Sequence, residues 1–116
     1  MMRLLLLSIC AALLAGCSGR ESKILGTAVE GVAVNIASIP QTTADSRIVL
    51  HGTMTKKCPV AGCWFVLKDE TGTIKVDTKN GGFAVIDVPL NTSLTVAGRV
   101  VMNGRERLID ATGVCY

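Results

Sequence analysis

Two groups of residues in this 116-residue chain have the types and spacing to do chemistry. One is Cys58-Pro59-Val60-Ala61-Gly62-Cys63-Trp64, two thiols separated by four residues with Lys56 and Lys57 just ahead of them. The other is Leu14-Ala15-Gly16-Cys17, small residues before a cysteine, at the end of an apolar run that begins at Leu4 behind Met1, Met2 and Arg3. That tetrapeptide has the form read by a bacterial lipoprotein signal peptidase. The expected chemistry is a diacylglyceryl thioether on Cys17 and cleavage of residues 1–16, because the apolar run falls short of the ~20 residues a spanning helix needs. A chain so processed is tethered to a membrane. Ser18 follows the lipidated position in place of the aspartate associated with inner-membrane retention, which favours the outer membrane and a domain facing the periplasm.

Processing also sorts the five cysteines. Cys10 leaves with the signal and Cys17 carries lipid, so Cys58, Cys63 and Cys115 remain. Export to an oxidising compartment makes a Cys58–Cys63 disulfide the plainest expectation. Closing so short a loop would contribute about 2–3 kcal/mol in the chain-entropy view. A redox couple is the second expectation, with Lys56 and Lys57 supplying the positive potential that lowers a thiol pKa. The third is a soft metal ion, Cu or Zn, held by Cys58, Cys63 and Cys115. Alternating strands would bring the end of the last strand to the same end of a barrel as the loop between the first two. His51 lies too far back along an extended strand to complete such a set, and Met54 falls on an inward face. Trp64 is expected to pack on the barrel end, with ring stacking of a ligand as the alternative.

The elements that must position these residues come from a mature chain of roughly 100 residues, enough for one small domain. Arg3 is the only charge lost with the signal, so of the twelve Lys and Arg eleven remain against nine Asp and Glu, nearly balanced and interspersed. With few aromatic residues and no basic stripe, nucleic acid is a poor candidate partner. No phosphate-cradling glycine loop, His-Glu metalloprotease motif or nucleophile elbow is present, so no enzyme activity is expected.

Residues 18–27 read as a flexible tether and residues 28–39 as an N-terminal strand or extended lead-in, with 41–46 a polar connection. The expected domain begins at residue 46. Strand patterns then recur at Arg47 to Thr55, Cys63 to Lys68 and Thr73 to Thr78, the last with Ile74 and Val76 inward. Residues 79–90 are a connection with room for one helical turn. A fourth strand carries Leu94, Val96 and Val100, with Gly98 marking a bulge. Asn103-Gly104 signals a hairpin into a fifth strand from Arg105 to about Val114. Five short strands with a long connection after the third predict an all-β, Greek-key barrel of the OB type, with an open sandwich as the alternative.

His51-Gly52-Thr53 leading to Cys58-x4-Cys63-Trp64, then Leu67-Lys68-Asp69-Glu70-Thr71-Gly72 and Gly82-Phe83, resembles the DUF4920 family of bacterial domains. The resemblance spans about residues 45–114 and implies an OB-like fold without an activity. Cys115 has no counterpart in it. The expectation is a membrane-anchored envelope lipoprotein, an accessory or binding module whose cysteine loop serves thiol or metal chemistry. The alternative is a module that binds envelope polymer or a protein partner, with the two cysteines as a staple.

Overall fold

Alternation of β-branched and polar residues from position 47 onward becomes a closed five-stranded barrel in the computed structural model, which describes residues 23–39 and 46–116. The expected signal segment with Cys10, the expected lipidation position Cys17 and most of the expected 41–46 connection lie outside the described residues. The strands are β1 (Ile24–Gly26), β2 (Arg47–Lys57), β3 (Trp64–Asp69), β4 (Gly72–Asp77), β5 (Ser93–Asn103) and β6 (Glu106–Cys115). Their sheet order is β1-β6-β4-β3-β2-β5, and β5 also pairs with β6, which closes the ring. All barrel pairings are antiparallel except β4 with β6. The expected OB-like barrel is therefore the fold.

The inward residues are those the alternation selects. Leu50, Met54, Phe65, Leu67, Val76, Val96, Val100 and Val114 are all fully buried in one core. Gly98 sits at the register shift between Ala97 and Gly98 in the β5–β6 pairing, and a Cβ there would come 2.5 Å from the Asp110 carbonyl oxygen. The expected bulge is at that position, where two backbones close to a distance only glycine permits.

Two local expectations change. Asn103 pairs with Glu106, so the hairpin turn consists of Gly104 and Arg105. Positive φ at Gly104 (67°) but not at Arg105 is the type II′ pattern, in which glycine leads. The connection 79–90 forms successive turns and no helix; Val85 and Val88 drop from it into the core.

The largest change is before residue 46. Half of the expected tether is structured: β1 pairs with the end of β6, and Lys23 exchanges both backbone hydrogen bonds with Tyr116 (2.6 and 2.9 Å). The lead-in is not a strand but a strap. Val34 makes one parallel bridge to Leu50, a 3-10 turn follows at Ile36–Ser38, and Ile36 and Ile39 are buried while Val32 and Val34 stay exposed. Asp69 fixes the strap by accepting the Ile36 N–H (2.9 Å), and Arg107 donates to the Ile39 carbonyl (2.7 Å). The folded unit thus includes residues 24–39, ahead of the boundary expected at 46.

Candidate functional site

β2 and β3 are joined by residues 58–63, the loop that holds both thiols. The ladder stops at Lys57↔Phe65, because Pro59 has no N–H to extend it. The Cys58 N–H still donates to the Trp64 carbonyl (3.0 Å), and the Cys58 carbonyl accepts from the Gly62 N–H (3.2 Å), which closes the loop as a single helical turn. Gly62 has φ +63°, and a Cβ there would collide with the Ile86 backbone. Glycine is required at that position on both counts.

This turn aims backbone N–H groups at one sulfur. Donors from Ala61 and Val60 hold the Cys58 pKa down at about 7 from an ordinary 9, against an upward push from desolvation, with Cys63 adding the least. Stabilisation of a thiolate by N–H dipoles is what makes a cysteine nucleophilic near neutral pH. Cys58 and Cys63 are both free thiols and partly exposed, in place of the expected bridge.

The surrounding frame fixes the loop from two sides. The Gly62 carbonyl accepts from the Val85 N–H (2.9 Å) and the Thr78 hydroxyl (3.4 Å), while the Cys63 carbonyl accepts from the Thr78 N–H (3.0 Å). Lys57 reaches over the 85–88 segment and donates to the carbonyls of Ile86 (2.9 Å), Val85 (3.5 Å) and Val88. Val60 at the tip is 86% exposed, and both cysteines that flank the tip are partly exposed.

No family model matches the chain, and no curated protein matches it. Among solved structures, the hypothetical protein ygiW from E. coli is similar, with a TM-score of 0.56 and 22% identity over 72% of this chain and 88% of that one. A likeness at that level shows a shared fold.

The other expected site residues fall differently. Lysine does not activate Cys58: the Lys57 ammonium is engaged by carbonyls, and the lowering comes from the loop backbone. Lys56 is exposed on β2. Trp64 does not cover the barrel end. It lies on the outer face, pairs with Asp77 and receives the Lys75 ammonium 5.0 Å from its ring centroid, a cation–π contact.

The three-cysteine metal set does not assemble. Cys115 ends β6 at the predicted end of the barrel, but it pairs with Thr95 and Ile24 and is buried. Among the described residues, no group of three or more His, Cys, Asp or Glu is placed to hold a metal ion. His51 is exposed, its Nδ1 2.9 Å from the Thr95 hydroxyl, on a groove of about 750 Å³ that also contains Lys68, Glu70 and Asn35. That groove lies on β2 and β3, and none of residues 58–63 lines it.

Sequence reasoning missed the two residues that make the loop a site, Thr78 and Val85. Both act through main-chain or hydroxyl bonds to the loop backbone. Only their juxtaposition in the barrel reveals the role.

Proposed function

We propose that this chain is a lipid-anchored envelope protein whose OB-like barrel presents a reversible dithiol, with Cys58 as the attacking thiol and Cys63 as the resolving one. The observation that carries the reading is the pair itself: two free, partly exposed thiols at the two ends of one backbone-locked turn. The Cys17 motif supports anchorage, and an envelope address supplies disulfides to exchange with.

The exchange is a two-step displacement. The Cys58 thiolate attacks one sulfur of a partner disulfide, forming a mixed disulfide and expelling the other sulfur as a thiolate. Deprotonated Cys63 then attacks the Cys58 sulfur and expels the second partner thiolate. The partner gains two electrons and the pair becomes a Cys58–Cys63 disulfide; the reverse direction oxidises a partner dithiol. Donors at Cys58 favour the thiolate both as nucleophile and as leaving group.

The test is equilibration of the protein in glutathione redox buffers, followed by alkylation and intact mass. A reversible loss of two hydrogens that requires both Cys58 and Cys63 supports the reading. A pair that never oxidises, or one that cannot be reduced again without unfolding, overturns it in favour of a staple in a partner-binding module. Acylation is checked on the same sample, since a diacylglyceryl adduct at Cys17 is required for the anchorage.

A further inference from the structure

We propose that the rim of the dithiol turn is a docking surface for an exported polypeptide, so that the disulfide met by Cys58 is one with apolar residues beside its cysteines, in preference to glutathione. This inference rests on the exchange reading and adds its substrate class.

The rim is made by two segments that bring no charge of their own. No side chain is charged from Cys58 to Leu67, and none from Asn80 to Ile86. Pro59, Val60 and Ala61 are all exposed, Val60 by 86%, and Ile86 on the second segment is 41% exposed. The segments touch. The Val85 N–H donates to the Gly62 carbonyl (2.9 Å), and a Cβ on Gly62 would lie 2.9 Å from that of Ile86. Val60 and Ile86 thus flank the same turn, and the Lys57 bonds to the carbonyls of Val85 and Ile86 hold the second segment in place before any partner arrives. Adjoining apolar side chains left open to water, with polar groups around them, mark a contact for another macromolecule.

Exchange itself dictates what lies on that surface. A partner sulfur bonds to Cys58 only when its own chain crosses the turn, which brings the residues beside it onto Pro59, Val60 and Ala61 or against Ile86. Apolar residues there leave water together with Val60 and Ile86, and the complex is held longer. Glutathione brings two carboxylates and an ammonium to a surface whose nearest charges in sequence, Lys56 and Asp87, stand at its margins, while the Lys57 ammonium is committed to carbonyls. Bonds and electrons balance as in the exchange: the partner's S–S bond breaks, the Cys58–Cys63 bond forms, and the partner's two sulfurs take up the electron pair.

The experiment gives the reduced full-length chain three disulfides at equal concentration. These are oxidised glutathione, a cystine-bridged peptide with leucine and phenylalanine beside its cysteines, and the same peptide with serine in those places. Rates are read by acid quenching and mass spectrometry. The apolar peptide should react about tenfold faster than the serine peptide, and faster than glutathione. In Val60→Ser and in Ile86→Ser, both at exposed side chains, the ratio between the two peptides should fall toward one. Three disulfides reacting at one rate in the wild-type chain, or a ratio that both variants leave intact, overturns the docking surface while the exchange stands. No reaction with any of the three overturns the exchange reading and this inference with it.

Discussion

At the scale of single residues, the decisive quantity is the acidity of Cys58. Its thiol is lowered to about 7 by the Ala61 and Val60 N–H groups first, and a depressed acid stabilises the fold above its ordinary value and ceases to as pH falls through the lowered one. The window is therefore pH 7 to 9. Wild-type melting temperature should rise across it relative to Cys58→Ser, and iodoacetamide modification of Cys58 should show a midpoint near pH 7. A midpoint at about 8.5 or above, the range of an ordinary thiol, would mean that the backbone donors do not act on the sulfur. The cysteine pair was legible in the sequence because residue type and spacing carry it. Its activator was not: adjacent lysines suggested a charge effect, whereas Lys57 is spent on the carbonyls of Val85, Ile86 and Val88 and the turn itself does the work.

Elements decide whether that turn persists. Gly62 combines a left-handed backbone with a close approach to Ile86, so Gly62→Ala must strain or displace the loop, at a cost of about 1–3 kcal/mol. The expected outcome is a lower melting temperature together with a Cys58 alkylation midpoint moved back toward the ordinary thiol range. Stability loss with an unmoved midpoint would separate loop strain from thiol activation. The strands were readable because each reports its buried face every second residue, and Gly98 marked its own bulge. The hairpin turn slipped by one residue because Asn103-Gly104 and Gly104-Arg105 are both good turn pairs, and only the register with Glu106 decides between them.

At the scale of the whole molecule, the strap is what local sequence could not show. Val32, Val34 and Ile36 alternate as a strand would, yet partners 33 and 68 residues away determine that Ile36 and Ile39 bury instead. Asp69 carries much of this. Burial raises its pKa, but donation from the Thr71 hydroxyl and from the N–H groups of Ile36, Thr71 and Gly72 outweighs that and holds it below 3.8. A lowered carboxylate stabilises above its ordinary value and is lost as pH falls through the depressed one, so the strap should loosen only in acid below pH 3.8. Asp69→Ala should reproduce that loosening at neutral pH, costing about 1–3 kcal/mol, with faster amide exchange at Ile36 and Ala37. Unchanged exchange there would show that the buried isoleucines alone hold the segment.

The entry of the chain along β6 has a consequence for encounters. β2 and β6 run the same way, so Lys23, paired with Tyr116, enters at the barrel end that carries the dithiol loop. Phe83 links the two, lying under Gly26 and two residues before Val85. From Cys17 to Lys23 even a fully extended chain reaches only about 20 Å. With lipid on Cys17, as proposed, Lys23 is leashed within that radius of the bilayer surface, at the barrel end that carries the sulfurs. Collisions with a partner are then confined to a thin shell over one leaflet. Their frequency follows the number of partners per unit area of membrane, and molecules dissolved in the bulk of the compartment are met only as they graze that surface.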